Sequence, residues 1–495
     1  MTAHDLYLIS PELALAGVAG VVVLLDLFVR QKRVLLLVTL LGLVVPLVLT
    51  AVLWGDVHND PTGAMPGLFG TLVVDKFALF FKFLVLVIVA LLVLGSADYV
   101  EKFQRYQGEF YALVLFSAVG MMLLAATTEL VSIYISLELT ALPLAAMAAF
   151  LRDGRSSEAG LKFLLLSAMS SALLLYGMVL VYGFTGSTQL TEIAQVVAQG
   201  DLPFGSYAML VAIVLIVVGF GFKMSIVPFQ MWVPDVYEGA PTPITAYLSV
   251  ASKAAGFAVV LRVFYLAFGS VSVDWSILFA VLSALSMTVG NLVAIAQSNI
   301  KRMLAYSTIA HAGYILVGVA ATTAQAPEGD TLGLGPSGVL FYLGAYAATN
   351  LAAFFAIIAI TNKVESDEID DFAGMARRAP VIAAVLAFAM VSLIGLPPTA
   401  GFMGKLYLFN AAVRSDLVWL AVVGVLNSVV SAYYYLRVVR TIYLAPAESE
   451  DGVPSSIPVR LALAVTGVAI LAIGVLPGPL LEVSETAIQI LLPSA

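Results

Sequence analysis

Residues 206–236 read SYAMLVAIVLIVVGFGFKMSIVPFQMWVPDV, an apolar run that contains Lys223 and is interrupted by Pro228 and Pro234. The run exceeds the roughly 20 residues that cross a bilayer as one helix. A proline removes a helix hydrogen bond, and a membrane tolerates such a break only where protein or water satisfies the freed backbone groups. The segment therefore predicts a discontinuous membrane helix with a lysine beside its break.

A second long run has the same character. Residues 380–414 are interrupted by GLPPTAG at 395–401, and Lys405 follows this break. Paired broken helices in the two halves of a transporter are typical of an ion path between inverted repeats. The two halves are too different in sequence to align by eye, so the repeat is a hypothesis at this stage.

Apolar runs of spanning length make up most of the chain. Of its 495 residues, 61% are hydrophobic and 11% are charged, which is outside the range of a soluble domain. We expect an all-α polytopic membrane protein with about 14 transmembrane helices. The first run is as long as a full span, so it predicts a membrane helix rather than a cleaved leader. The expected spans are 8–29, 34–54, 73–96, 108–126, 129–151, 160–184, 206–236, 241–267, 274–297, 300–323, 336–361, 380–414, 416–444 and 458–480.

Basic residues fall at every second connection between these spans. They are Arg30, Lys32, Arg33, Lys102, Arg105, Arg152, Arg155, Lys301, Arg302, Lys363, Arg377, Arg378, Arg440 and Arg460. By the positive-inside rule these connections are cytoplasmic. The intervening loops at 55–72, 184–205 and 323–336 contain neither Lys nor Arg. Both termini are therefore expected outside, and the number of spans is expected to be even.

The composition excludes several kinds of chemistry. The chain has no cysteine, and its three histidines, His4, His58 and His311, are far apart. It therefore cannot hold an iron–sulfur cluster, a cysteine-ligated zinc ion or a disulfide, and any redox step takes place in other proteins. The net charge of −8 and the lack of a basic run argue against nucleic-acid binding.

Four charged side chains, Glu138, Lys223, Lys253 and Lys405, lie inside apolar runs. Each costs about 3 kcal/mol near the bilayer centre, and charges retained there usually handle ions or protons. Glu138 is near the middle of the fifth span, far from either loop. It is either a structural charge satisfied by a partner or a proton-exchanging group, and Lys223 is its natural partner.

Lys253 belongs to a polar stripe on an otherwise apolar helix. The other members follow helical spacing on about a third of the circumference; they are Thr242, Thr245, Ser249, Ser252 and Gly256. The small residues alone are typical of close helix packing. A lysine among them favours a hydrated path, because burial disfavours the charged form of an amine and makes proton release possible.

Two weaker stripes contain Ser307, His311, Tyr314 and Gly318 on the tenth span and Asn427, Ser431 and Tyr434 on the thirteenth. His311 is a possible accessory proton carrier, although a packing role fits it equally well. Lys162 lies near a cytoplasmic end, where snorkelling explains its charge. Lys82 has no supporting motif, and Lys301 and Arg302 are interpreted as topology determinants.

Several blocks of the sequence resemble one family. They are PEL at 11–13, LEL at 137–139, GFKMSIVPFQMWVPDVYEGAPTP at 221–243, KRMLAYS at 301–307, IAHAGY at 309–314 and GLPPTAGFMGK at 395–405. Together they closely resemble subunit N of respiratory complex I, the NADH-quinone oxidoreductase. The block at 221–243 is the most specific of them.

The resemblance implies an antiporter-like fold with two inverted five-helix repeats, each containing a discontinuous helix. It suggests an N-terminal three-helix segment at 1–107, a first repeat at 108–267 broken near 223–234, a second repeat at 274–444 broken near 395–401, and a C-terminal helix with an interfacial tail at 445–495. The family assigns proton translocation to the residues that match Glu138, Lys223, Lys253 and Lys405. Family members often have histidine where this chain has Gln230, and an amide cannot titrate.

The resemblance further implies a membrane-arm subunit in the bacterial inner membrane, beside neighbours that resemble subunits K and M. NADH, FMN, iron–sulfur clusters and quinone would be bound by other subunits, with no cofactor or metal in this chain. Subunit M has Glu at the position of Lys405, and subunit L has a long lateral helix, so both fit less well. The alternatives are a subunit of a multi-subunit cation/proton antiporter or membrane-bound hydrogenase, and a free-standing permease or scaffold.

Overall fold

The computed structural model describes residues 2–200, 205–322, 333–447 and 451–492. Within these ranges, 13 helices are long and apolar enough to cross a membrane, and Pro380–Ile394 is a shorter apolar helix. The predicted all-α polytopic fold is therefore confirmed. A count of 14 spans stays a prediction, because one crossing is divided into two short helices by a break. Residues 201–204 of the expected loop at 184–205 and residues 323–332 of the expected loop at 323–336 lie outside the described residues.

The N-terminal segment contains three long helices and a β-hairpin. Its helices are α1 (Ala3–Leu8), α2 (Ser10–Phe28), α3 (Arg33–Asn59) and α4 (Lys76–Gly95). Strands β1 (Ala64–Gly67) and β2 (Leu72–Asp75) form an antiparallel pair in which Ala64 lies opposite Asp75. Asp75 also caps α4, because its carboxylate accepts a hydrogen bond from the Ala78 amide.

Five membrane crossings form a first unit. They are α6 (Gln107–Ala126), α7 (Leu130–Ala148), α8 (Gly154–Thr185), the pair α10 (Ser206–Met224) and α11 (Trp232–Gly239), and the pair α12 (Thr242–Tyr247) and α13 (Lys253–Leu266). The short helix α5 (Ala97–Val100) precedes the unit, and α9 (Leu190–Gln199) connects α8 to α10. A π-helical turn at Leu248–Ser252 joins α12 to α13, so these two helices make one crossing.

A second unit and a C-terminal segment complete the chain. The second unit contains α14 (Ser272–Ile295), α15 (Ile300–Ala320), α16 (Leu334–Val364), α17 (Met375–Arg378), α18 (Pro380–Ile394), α19 (Ala400–Arg414) and α20 (Val418–Leu444). The C-terminal helices are α21 (Ile457–Val475) and α22 (Gly478–Ile488). Pro479 occupies one of the first positions of α22, where proline favours helix initiation.

The two broken helices share one backbone motif. Each first half ends in a left-handed residue, Ser225 or Gly395. The next amide, of Ile226 or Leu396, donates back to the carbonyl of Gly221 or Val391. Three residues further on, the amides of Phe229 and Thr399 donate to the carbonyls of Ile226 and Leu396. Every matching pair of positions is 170 residues apart, although the side chains differ.

A second set of matching contacts, a helix cap combined with an isolated β-bridge, occurs once in each unit. Glu129 caps α7 and forms an isolated bridge with Gln189, while Asn299 caps α15 and forms one with Glu368. Glu129 and Asn299 are again 170 residues apart. If each unit crosses the membrane five times, as the predicted count of 14 spans requires, the second unit starts from the opposite side of the membrane. The matching contacts of the two units are those expected of inverted repeats.

Three crossings form the buried centre of the chain. Thr242–Leu266, Ile300–Ala320 and Leu334–Val364 are almost entirely covered by other helices, whereas Ser10–Phe28, Arg33–Asn59 and Gly154–Thr185 leave most of their surface uncovered. Polar residues on the central helices are therefore kept away from lipid. The predicted polar stripes of Lys253 and His311 lie on two of these helices.

Candidate functional site

Lys223 lies in the last turn of α10, just before the first break. Its side chain is 6% exposed, and its ammonium nitrogen has no hydrogen-bond partner within the described residues. The aliphatic part of the side chain packs over Gly256 of α13, where an added Cβ would lie 3.4 Å from Lys223 Cγ. The negative end of the helix dipole at a helix C-terminus favours a cation, which helps to retain the charge there.

Glu138 lies on α7 and is half-buried. Its carboxylate accepts a hydrogen bond from the Ser171 hydroxyl of α8. Among the ion pairs of the described residues, none joins Glu138 to Lys223. The predicted Glu138–Lys223 pair is therefore open in this structure, with the carboxylate bonded to a serine and the ammonium group without a partner.

Lys253 is the first residue after the π-helical turn and is 1% exposed. Its ammonium group donates to the backbone carbonyl of Thr308 on α15. It also lies 5.7 Å from the centre of the Tyr346 ring of α16, a favourable cation–π position. The central lysine thus contacts the second repeat, while its helix belongs to the first.

Lys405 lies on α19, beyond the second break, and is 4% exposed. Its ammonium group donates to the carbonyls of Leu393 and Ile394 at 3.1 and 2.8 Å. It also donates to Ser428 at 3.1 Å and lies 4.3 Å from the centre of the Tyr314 ring. The two carbonyls come from the C-terminal end of α18, so a half-helix dipole stabilises this cation as well.

Polar and aromatic side chains lead from His311 to Lys405. His311 Nδ1 lies 2.7 Å from the Tyr342 hydroxyl, and Nε2 lies 3.1 Å from the Tyr435 hydroxyl. Tyr435 packs against Tyr434, with ring centres 4.3 Å apart. Hydrogen bonds then lead from Tyr434 through Asn291, Tyr314 and Ser428 to Lys405. His311 also packs 5.0 Å from the Tyr346 ring, next to Lys253. The polar side chains between the two lysines are thus hydrogen-bonded in two runs, and ring contacts take the place of hydrogen bonds at Tyr346 and between Tyr435 and Tyr434.

Of the predicted accessory residues, His311 belongs to this series of side chains, whereas Lys162 and Gln230 lie away from it. Lys162 forms ion pairs with Asp235 and Glu158 at 2.7 and 2.8 Å, and its side chain is 41% exposed. Gln230 lies in the first break, and its carbonyl oxygen is buried without a hydrogen-bond partner among the described residues. Neither residue contacts Lys253 directly through a hydrogen bond described in the structure.

The structure adds contacts to two residues that were interpreted only as topology determinants. Arg302 donates to Asp235 at 3.0 Å and to Glu238 at 2.8 Å. Lys301 is 5% exposed and lies 3.1 Å from Asp367. Arg302, Asp235, Glu238 and Lys162 form a cluster where α8, α11 and α15 meet, beside a cavity of about 200 Å³. Lys301 and Asp367 line a different cavity, of about 480 Å³. The topology interpretation therefore gives an incomplete account of Lys301 and Arg302.

Two buried ion pairs were missed by the sequence reasoning. Asp75 and Arg262 form two hydrogen bonds at 2.8 and 2.9 Å, and neither is more than 1% exposed. Lys82 lies 2.8 Å from Glu12, which supplies the partner that its apolar surroundings require. A charge inside an apolar run was the available signal for Lys82 and Arg262, but nothing in the sequence indicated the partner.

Two inverted repeats with broken helices, and buried lysines between them, define the antiporter-like class of membrane proteins. Residues 127–431 match the family described as NADH:quinone oxidoreductase/Mrp antiporter, transmembrane region. NADH-quinone oxidoreductase subunit N of Dehalococcoides mccartyi is 44% identical, with 98% of this chain and 99% of the relative covered. That of Moorella thermoacetica is 47% identical, with 83% and 84% covered. The chain belongs to the NADH-quinone oxidoreductase subunit N family.

Solved structures agree with this assignment. A chain of respiratory complex I from Thermus thermophilus with bound aureothin is 34% identical, with a TM-score of 0.77 and 95% of this chain and 98% of that chain covered. A chain of the Mrp complex from Dietzia is similar in fold, with 22% identity, a TM-score of 0.81 and coverage of 98% and 97%. The antiporter alternative is thus supported at the level of fold alone, whereas the complex I family is supported by sequence.

Proposed function

We propose that this chain is a proton-translocating membrane-arm subunit of NADH-quinone oxidoreductase. One observation carries the proposal: Lys223, Lys253 and Lys405 are each at least 94% buried, and none has an ion-pair partner among the described residues. Unpaired buried charges are costly, so their retention at three positions favours a role in which the charge changes. The absence of cysteine from the sequence leaves the redox centres to other subunits.

The contacts suggest an order of events. Closure of the open Glu138–Lys223 pair would change the electrostatic potential at Lys253, whose helix packs against Lys223 through Gly256. Lys253 would then exchange its proton with Lys405 along the side chains that begin at His311. A unit charge about 10 Å away is worth about 1.7 kcal/mol at an effective dielectric constant of about 20. This is comparable to the roughly 2.3 kcal/mol needed to move one charge against 100 mV.

The remaining expectations belong to this proposal. The chain would lie in the bacterial inner membrane with both termini outside, between neighbours that resemble subunits K and M. As part of an enzyme complex it would couple quinone reduction elsewhere to proton movement here. The repeat boundaries at 108–267 and 274–444 and the accessory roles of Lys162, Gln230 and His311 are likewise proposed, and Gln230 would act without titrating.

The main test removes the two lysines nearest the first break. We expect Lys223→Ala and Lys253→Ala to abolish proton pumping in the assembled complex, because each removes a buried group whose charge must change. Proton uptake by membrane vesicles during NADH oxidation measures the effect, and native gels verify assembly. Lys363→Ala, at an exposed position at the end of α16, is the control. Normal pumping by an assembled Lys253→Ala complex would contradict the proposal.

A second test interrupts the connection between Lys253 and Lys405. Tyr435→Phe removes the hydroxyl that contacts His311 and Ser307 but keeps the ring. We expect pumping to fall at least tenfold while assembly persists, because a phenyl ring cannot pass a proton. Tyr433→Phe is a matched control on the same helix, since Tyr433 is 63% exposed. Equal pumping rates in the two variants would show that protons do not use this chain of side chains.

A further inference from the structure

Two adjacent serines on α8 contact different neighbouring helices. Ser170 lies 3.4 Å from the Gly219 carbonyl of α10, whereas Ser171 donates to the Glu138 carboxylate of α7. Successive residues of an α-helix project about 100° apart, so a helix between two others can contact both in this way. Ser171 is the hydrogen-bond donor that the described residues provide for Glu138.

Ser171 and Lys223 have a common potential acceptor. The ammonium group of Lys223 is buried and has no hydrogen-bond partner in the described residues, and Glu138 is bonded to Ser171 through one of its two oxygens. A carboxylate has two oxygens, but it occupies one side-chain rotamer at a time. In the rotamer whose carboxylate is bonded to Ser171, Glu138 forms no ion pair with Lys223, and the Lys223 ammonium group has no hydrogen-bond partner among the described residues.

We propose that Ser171 is a positioning residue that holds Glu138 in the open arrangement and so sets the balance between the open and closed Glu138–Lys223 pair. In the open state the serine hydroxyl is bonded to Glu138. In the closed state that bond is replaced by the ion pair, with no covalent bond made or broken. The consequence of this proposal for proton pumping rests on the proposed function. The balance between the open and the closed pair depends only on the side chains of Ser171, Glu138 and Lys223.

The first experiment measures the balance without measuring pumping. A hydrophobic carbodiimide labels carboxyl groups in apolar surroundings, and mass spectrometry of the purified complex reports the labelling rate of Glu138. A hydrogen bond to a charged group changes an equilibrium by about tenfold or more. We therefore expect Ser171→Ala to slow the labelling of Glu138 about tenfold, because the carboxylate is then held by Lys223. Ser171→Thr, which keeps the hydroxyl, should restore the rate.

Two controls separate positioning from a change in packing. Ser170→Ala alters the neighbouring residue but leaves the Glu138 contact intact, so labelling should stay at the original rate. In a Lys223→Ala background, Ser171→Ala should not slow labelling, because the competing ammonium group is gone. Slower labelling that persists in this background, or unchanged labelling in Ser171→Ala alone, would overturn the proposal.

Pumping by the same variants tests the consequence. Ser171→Ala should lower the rate of proton uptake several-fold relative to Ser170→Ala, and Ser171→Thr should recover it. If labelling responds as expected but Lys223→Ala still pumps normally, the positioning role of Ser171 stands and the proposed function fails. If Lys223→Ala abolishes pumping but labelling is insensitive to Ser171, the proposed function stands and the positioning role fails.

Discussion

Arg262→Leu is expected to prevent stable folding of this chain, because it leaves Asp75 as an unpaired carboxylate in the interior. Both side chains are essentially fully buried, and Arg262 also donates to the Ala125 carbonyl at the end of α6. Breaking a buried ion pair by removing one partner costs about 3–5 kcal/mol. The loss would separate α13 from the N-terminal segment. Immunoblots of membranes and native gels of the complex would show the missing subunit.

The double variant Asp75→Leu/Arg262→Leu provides the informative control. Replacing both partners with apolar residues removes the unpaired charge and is often neutral. Asp75→Leu also removes the cap of α4, which costs about 1 kcal/mol, so the amount of assembled complex should recover in large part but not completely. Arg33→Leu, in the exposed Arg33–Glu101 pair, should change little, since exposed pairs contribute about 0–1 kcal/mol. If the double variant is as poorly assembled as Arg262→Leu, the bonded geometry itself is required rather than charge balance.

Gly401→Ala is expected to have a comparably large effect on the second break. A Cβ at Gly401 would lie 1.9 Å from the Ser392 carbonyl oxygen, a contact between two backbones that no side-chain rotation relieves. The two halves α18 and α19 would have to separate. Lys405 would then lose the Leu393 and Ile394 carbonyls, so pumping should fall along with the thermal stability of the solubilised complex.

A second glycine distinguishes this effect from a general intolerance of alanine. Gly55 lies inside α3 and has nothing within 4 Å of an added Cβ. Gly55→Ala should be neutral or stabilising, because alanine is favoured over glycine by about 0.5–1 kcal/mol inside a helix. Thermal scans and pumping assays on both variants make the comparison. An undiminished melting temperature and pumping rate in Gly401→Ala would show that α18 and α19 do not require this close approach.

The sequence predicted the helices and their breaks because length, hydropathy and proline act locally. It also identified Glu138, Lys223, Lys253 and Lys405, since any charge inside an apolar run requires an explanation. In the structure the three lysines are buried and Glu138 is half-buried. His311 lies beside the Tyr346 ring that Lys253 contacts, at the start of the side chains that lead to Lys405. Their roles in proton transfer remain proposals.

Ion-pair and hydrogen-bond partners that are far apart in the sequence could not be predicted in the same way. Asp75 and Arg262 are 187 residues apart, and a carboxylate near the start of a span has many possible partners. Ser171 is an ordinary small residue in an apolar run, and helix packing explains such residues well enough. Only the position of Glu138 beside it gives it a specific contact. The side-chain links through Asn291 and Tyr434 likewise depend on how distant helices pack.

The shared break motif has a consequence for the direction of transport. Lys223 precedes the first break, and Lys405 follows the second. If the repeats cross the membrane in opposite directions, as the predicted topology requires, the half-helix before one break and the half-helix after the other lie in the same leaflet. The two lysines would then lie at similar depths in the membrane. Transfer between them would carry protons sideways through the bilayer interior, and crossing the membrane would depend on separate openings to either face.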